Sequence, residues 1–144
     1  MNPVLYILMR TDMESLNPGK AMAQAVHAGN ALETRCEREI QVGLLAGDLS
    51  AEMLGDAYCT WKHQTSQGFG TTIVLGGSMS LISMDVKRLQ GLGYLADIIH
   101  DPSYPIRDGS VTHLIPLDTC AYVFAPDKDD PMIRMSLSSY GLHP

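Results

Sequence analysis

Three polar side chains near the start of the chain have the types and the spacing of a binding or catalytic site. Lys20, Gln24 and His27 are separated by four and three positions in the segment NPGKAMAQAVHAGNAL, so on a helix they form one stripe. We expect that stripe to begin at the helix N-terminus, where free N–H groups and a partial positive charge favour a phosphate or a carboxylate. A lysine at that positive end is unfavourable unless an anion lies beside it. The pattern therefore indicates an anion-binding site.

A second interpretation gives the same three side chains no ligand. Lys20 would face solvent, Gln24 would be an ordinary polar residue, and His27 would pack against the edge of a sheet. Because helical spacing alone does not separate the two interpretations, both remain open at this point.

The helix that carries the stripe has a clear start and a clear packing face. Asn17 is expected to be its N-cap and Pro18 its first residue, where a missing N–H costs nothing. A helix packs closely on a sheet when the side chains of one face are small, and in this helix apolar, mostly small residues recur at intervals of four, three and four. These residues are Ala21, Ala25, Ala28 and Leu32.

The remaining pattern alternates between strands and helices, which predicts a single α/β domain over residues 1–144. Residues 4–9 are apolar without alternation, as in a strand covered on both faces. Residues 100–110, HDPSYPIRDGS, are expected to form a loop, because proline, aspartate and glycine disfavour regular structure. Pro116 is expected at a bulge or an edge position of the last strand. The expected strands are 4–9, 71–77, 96–100 and 112–126; the expected helices run from Pro18 towards Gly47 and over 51–62, 81–93 and 132–139.

Composition narrows the class of protein and of partner. The chain has 144 residues and a net charge of −6, so a broad basic surface for nucleic acid is not expected and any phosphate contact should be local. The apolar run 4–9 is too short for a signal peptide or a membrane span, which favours a cytoplasmic protein without a membrane partner. The three cysteines are far apart and are expected to be reduced thiols.

Neither a metal nor a cofactor is expected from the motifs. His100 next to Asp101 resembles half of a metal site, but no further ligand follows at a suitable spacing. The glycine-rich GFGTT, residues 68–72, precedes a strand instead of joining a strand to a helix, so it lacks the context of a phosphate loop.

Three sequence features together resemble the type 2 peptidyl-tRNA hydrolases over most of the chain, from the first strand to Pro126. They are the opening VLYILMRTD, the pattern G-K-x-x-x-Q-x-x-H-A at residues 19–28, and a later D-x-x-x-T-x-x-x-P. In the last pattern the matched residues are Asp108, Thr112 and Pro116. The resemblance implies a mixed four-stranded β-sheet with helices on both faces, usually in a homodimer. It also implies an enzyme of translation that hydrolyses the ester between a peptide and the 3′ end of tRNA without a metal.

The resemblance also implies which residues form the site. Lys20, His27, Asp108 and Thr112 would be catalytic, with the last two facing the first helix. Ester hydrolysis needs a positioned water, a group that takes its proton and donors for the developing oxyanion. The residues expected to contact substrate are Gly19, Gln24, Tyr104 and His113.

Several positions depart from the family pattern in a way that removes positive charge. Where the family usually has lysine or arginine, this chain has Pro18, Leu75 or Gly76, and Val111. Each missing cation should weaken binding of tRNA phosphates. The alternative function is therefore a non-catalytic module on the same fold that binds a nucleotide or another small phosphorylated ligand. Extra residues before Asp108, HDPSYPI, are interpreted either as a rim that stacks a base or as a loop that packs on itself.

Overall fold

A computed structural model describes all residues from Met1 to Pro144. They form one α/β domain around a mixed sheet of five strands, one more than the four that the resemblance implies. The additional strand has only two residues, too few to leave a hydrophobic pattern in the sequence. The strands are β1 (Val4–Arg10), β2 (Thr72–Gly77), β3 (Leu95–Asp108), β4 (Val111–Ala125) and β5 (Gly141–Leu142).

The strand order is β3-β4-β1-β2-β5. The central strand β1 is parallel to β2 and antiparallel to β4, and β4 pairs antiparallel with β3. Consequently β1, β2 and β3 run in the same direction, and their C-terminal ends lie at the same end of the sheet. The long strand β3 has a neighbour on one side only, so it forms an open edge.

Helices cover both faces of this sheet, as the resemblance implies. They are α1 (Pro18–Leu45), α2 (Leu49–Lys62), α3 (Met79–Gly91) and α4 (Pro131–Leu137). Two hydrophobic clusters lie on opposite faces, one beneath α1 and α2 and the other beneath α3 and α4. None of the four helices combines the length and the apolar character needed to cross a membrane.

The packing face of α1 is the one expected from its small residues. Ala21, Ala28 and Leu32 are buried, and the buried face continues to Cys36. The side-chain oxygen of Asn17 accepts a hydrogen bond from the Lys20 N–H at 3.0 Å, which confirms the predicted N-cap. Because alanine side chains are small, α1 lies close to the sheet. The stripe of Lys20, Gln24 and His27 runs along the side of this packing face.

The main departure from the sequence prediction is the segment expected to be a loop. It continues β3 as far as Asp108 and pairs with β4 up to the tight turn at Gly109, whose φ is +60°. Proline is tolerated here because β3 is an edge strand and the pairing is irregular between Asp101 and Tyr104, where Pro102 lies. Pro116 lies opposite this irregularity, as predicted. We call residues 102–117, which extend beyond the rest of the sheet, the hairpin arm.

Candidate functional site

The N-terminal turn of α1 and the base of the hairpin arm meet beside the C-terminal end of the central strand β1. The ammonium of Lys20 donates a hydrogen bond to the Pro105 carbonyl oxygen at 2.7 Å and lies 5.0 Å from the centre of the Tyr104 ring. No carboxylate lies within ion-pair distance of Lys20; its only protein hydrogen-bond acceptor is that neutral carbonyl. The helix therefore presents an ammonium without a counter-charge at its positive end.

Tyr104 fixes the hairpin arm to the loop before α1. Its side chain is fully buried, with a relative exposure of 0%, and its hydroxyl lies 3.3 Å from the Ser15 hydroxyl oxygen. The expectation that Tyr104 is a surface contact for substrate does not agree with this position, because a buried ring cannot stack on a base. Its role is to hold the arm against the helix.

Gln24 is the centre of a buried chain of hydrogen bonds. Its amide nitrogen donates to Asp101 Oδ2 at 2.7 Å, and its amide oxygen accepts from the Thr119 hydroxyl at 2.7 Å. All three residues are buried, with relative exposures of 2%, 8% and 0% for Gln24, Asp101 and Thr119. Gln24, which the resemblance predicts to contact substrate, thus links α1 to β3 and β4 through its side chain.

Asp101 is held as a carboxylate in this network. Burial raises its pKa, but the hydrogen bonds from Gln24 and Ser103 and the positive charge of nearby His27 outweigh that effect, so the pKa is lowered below its ordinary value. His27 lies one turn after Gln24 and is exposed. No hydrogen bond or ion pair joins His27 to Asp101, so the imidazole acts on the carboxylate only through its charge.

Further polar contacts connect the rim of this site to β1 and α3. Arg10 donates to the Asp118 carbonyl oxygen at 2.9 Å and to Asp12 Oδ1 at 2.7 Å. Asp12 Oδ2 in turn accepts from the Met79 N–H in the first turn of α3 at 3.2 Å. The Arg10 hydrogen bond is the main reason that the pKa of Asp12 is lowered. These contacts fix the side chains of Arg10 and Asp12 beside the C-terminal end of β1.

The structure places the other expected catalytic pair elsewhere. Asp108 is at the tip of the arm with its side chain 84% exposed, and its nearest charged partner is His113 at 3.8 Å. Thr112 pairs with Arg107 on the same tip and is exposed. No hydrogen bond or ion pair joins Asp108, Thr112 or His113 to α1. Continuous β-pairing beyond Tyr104 carries them outward, which the expected loop would not have done.

Gly19 lies exposed in the first turn of α1. A Cβ atom added there would be 3.6 Å from Asn17 Oδ1, an ordinary contact. Packing within the protein therefore does not require a glycine at this position.

The functional interpretation of the sequence missed Asp101 and Thr119. The sequence analysis predicts no role for Thr119, which lies within the predicted last strand, and it considers Asp101 only as a partner of His100 in a metal site. A hydrogen bond does join His100, but to Asp118 at 2.8 Å. No group of three or more His, Cys, Asp or Glu side chains in the structure could hold a metal ion. Polarity alone does not single out Asp101 and Thr119, because His100 precedes Asp101 and Asp118 precedes Thr119 in the same strands.

Comparison with known proteins assigns no family to this arrangement. No protein-family model matches the chain, and no curated protein matches it. The functional argument therefore depends on the residues and on their geometry.

Proposed function

We propose that the chain is a hydrolase of the peptidyl-tRNA hydrolase type, which cleaves the ester between a peptide and the 3′ end of tRNA. The observation that carries the proposal is the unpaired ammonium of Lys20 at the N-terminus of α1, on the same helical stripe as His27 and the Gln24–Asp101 pair. The G-K-x-x-x-Q-x-x-H-A pattern, the basis of the resemblance, consists largely of these same residues. Positive charge, a proton acceptor and a fixed carboxylate are what ester hydrolysis by water requires.

The proposed reaction uses each group once. His27 takes a proton from a water molecule as the water oxygen attacks the ester carbonyl carbon, and Asp101 stabilises the resulting imidazolium. Lys20 stabilises the negative charge that develops on the carbonyl oxygen. The bond between the carbonyl carbon and the ribose 3′ oxygen then breaks, and that oxygen takes the proton from His27. The products are a peptide with a free carboxylate and a tRNA with a free 3′ hydroxyl.

In this proposal Asp101 replaces Asp108 as the carboxylate of the site. Asp101 is buried and hydrogen-bonded to Gln24, and the charge of His27 contributes to lowering its pKa. Asp108 and Thr112 are assigned to the arm, where they would contact the substrate outside the reacting centre.

The test is hydrolysis of an N-acetylaminoacyl-tRNA, measured as release of the labelled N-acetylamino acid. We expect Lys20→Met and His27→Gln each to lower kcat/KM by roughly a hundredfold, the scale of a lost oxyanion donor or general base. Lys87→Met in α3 and His63→Gln at the C-cap of α2 are controls at exposed positions, and both should retain wild-type rates. Hydrolysis that is absent in the wild type, or equally fast in all four variants, would refute the proposal.

The second candidate, a binding module for a small phosphorylated ligand, is supported by the same unpaired ammonium together with the missing cations. Pro18 and Val111 occupy positions where the family pattern has positive charge, so a single phosphate suits the site better than a long polyanion. It predicts that adenosine monophosphate raises the Tm of the wild type but not of Lys20→Met. A Tm unchanged by AMP and by other mononucleotides would count against it.

A further inference from the structure

A groove continues from the candidate site along the same stripe of α1. Its helical wall includes Ala31, Thr34 and Arg38, which follow His27 at intervals of four, three and four. They therefore extend the line of Lys20, Gln24 and His27 along one side of the helix. On the sheet side the wall is Asp97–Ile99 of β3, which lies immediately before Asp101 in the network.

The groove has the dimensions and the lining of a ligand site. Its volume is about 380 Å³, and it shares Arg35 with a second pocket of about 840 Å³ near the start of β3. Ile99 and Tyr122 supply apolar surface, Asp97 forms an ion pair with Arg35 at 4.0 Å, and Arg38 supplies a positive charge. Arg38 makes no ion pair within the chain. The mixed polarity suits a ligand that carries both apolar and polar groups, as a peptide does.

The sheet side of the groove is the open edge of β3. Here two backbone groups are satisfied by side chains instead of by a neighbouring strand: the Ala96 carbonyl accepts from Gln90 at 2.8 Å, and the Ile98 N–H donates to Asp97 Oδ1 at 2.8 Å. The Ala96 carbonyl and the Ile98 N–H therefore both point away from β4, towards the open side of β3. Side chains can rotate away, so these positions are available to another extended chain.

We propose that this groove binds the peptide part of the substrate as an extended strand along β3. The inference rests on the proposed function, because it places the ester at His27 and the preceding residues of the peptide between α1 and β3. Recognition through backbone hydrogen bonds does not depend on the peptide sequence. This property suits a hydrolase whose substrates carry different peptides. The free side chain of Arg38 favours an acidic residue at the far end of the bound segment.

The test compares an N-acetylaminoacyl-tRNA with the same tRNA carrying an N-acetylated tetrapeptide. For the wild type we expect kcat/KM to be about tenfold higher with the tetrapeptide, the effect of a few added hydrogen bonds. Thr34→Trp, at an exposed groove position, should remove that gain and leave the rate on the shorter substrate unchanged. Val26→Trp is the matched control, since Val26 is 60% exposed on the solvent side of α1. Ala31→Trp is the second groove variant.

A binding measurement separates this inference from the proposed function. A fluorescent tetrapeptide amide should bind the wild type and Val26→Trp, with affinity weakened about tenfold or more in Thr34→Trp. Peptide binding of this pattern without any tRNA hydrolysis would refute the proposed function and support the groove. Hydrolysis with no dependence on peptide length and no peptide binding would overturn the groove alone. A change of oligomeric state in Thr34→Trp without a change in peptide binding would likewise overturn it, because the groove would then be an interface between copies.

Discussion

Replacing Gln24 by glutamate tests whether the buried network has the charges assigned to it. Gln24 donates to the Asp101 carboxylate at 2.7 Å, so Gln24→Glu sets two carboxyl groups against each other in a buried position. Both cannot ionise at that distance, and one must keep a proton. The folded-state pKa of the pair then rises above about 4.3, the value of glutamate in an unfolded chain.

The magnitude follows from that pKa change. A rise of about two units costs about 3 kcal/mol at neutral pH. For a chain of this length the loss corresponds to a decrease in Tm of roughly 10 °C. A group with a raised folded-state pKa stabilises the protein below its unfolded pKa and loses that contribution as pH rises through the folded value. The destabilisation should therefore be large at pH 7.5 and small at about pH 4.5.

The assay is urea unfolding of the wild type and of Gln24→Glu at the two pH values. Gln41→Glu is the matched control, because Gln41 is an exposed residue of the same helix without a side-chain hydrogen bond. It should leave the free energy of unfolding nearly unchanged at both pH values. An equal loss for Gln24→Glu at pH 7.5 and pH 4.5 would mean that Asp101 is not a charged partner of residue 24.

Three further predictions concern the arm and the acid stability. Because the pKa of Asp101 is lowered in the folded protein, its contribution to stability is present above about pH 4 and is lost as pH falls through the folded-state pKa. In thermal unfolding from pH 6 to pH 3, Asp101→Asn should therefore show a smaller decrease of Tm towards acid pH than the wild type. Tyr104→Ala should lower the free energy of unfolding by about 3 kcal/mol, because it empties a fully buried aromatic site. Tyr104→Phe should lower it by only about 1 kcal/mol, because it removes just the hydroxyl next to Ser15. Urea unfolding measures both losses, and a larger loss for Tyr104→Phe than for Tyr104→Ala would contradict the packing role. Asp108→Asn should change Tm by no more than about 1 °C, because the side chain is exposed at the arm tip; a larger change in a thermal scan would indicate a contact that the arm does not have.

Local signals in the sequence were sufficient for most of the fold. Asn17 and Pro18 mark the start of α1, and its spaced alanines identify the buried face. These features depend on neighbouring residues, so a single sequence contains them. Trp61, the one tryptophan of the chain, is buried in the core, and its indole N–H donates to the Thr71 carbonyl oxygen at 2.9 Å. The three cysteines are free thiols, as predicted.

The hairpin arm could not be predicted in the same way. Its prolines, aspartates and glycine favour a loop locally, and only pairing with β4 makes residues 102–108 a strand. That error also affected the site. A loop could place Asp108 next to Lys20, which is the arrangement that the sequence predicts. The observed strand places Asp101 next to Gln24 instead. Long-range register decided which of two aspartates reached the helix, and register is not a local property of the chain.

The central claim is that the cluster around Lys20, His27 and Asp101 is a reacting centre for peptidyl-tRNA. The most direct test is single-turnover hydrolysis of N-acetylaminoacyl-tRNA by Asp101→Asn and Asp108→Asn, two identical substitutions at the two competing carboxylates. We predict that Asp101→Asn slows the chemical step by about a hundredfold, while Asp108→Asn keeps a rate close to the wild type. A rate lost in Asp108→Asn and kept in Asp101→Asn would contradict the account.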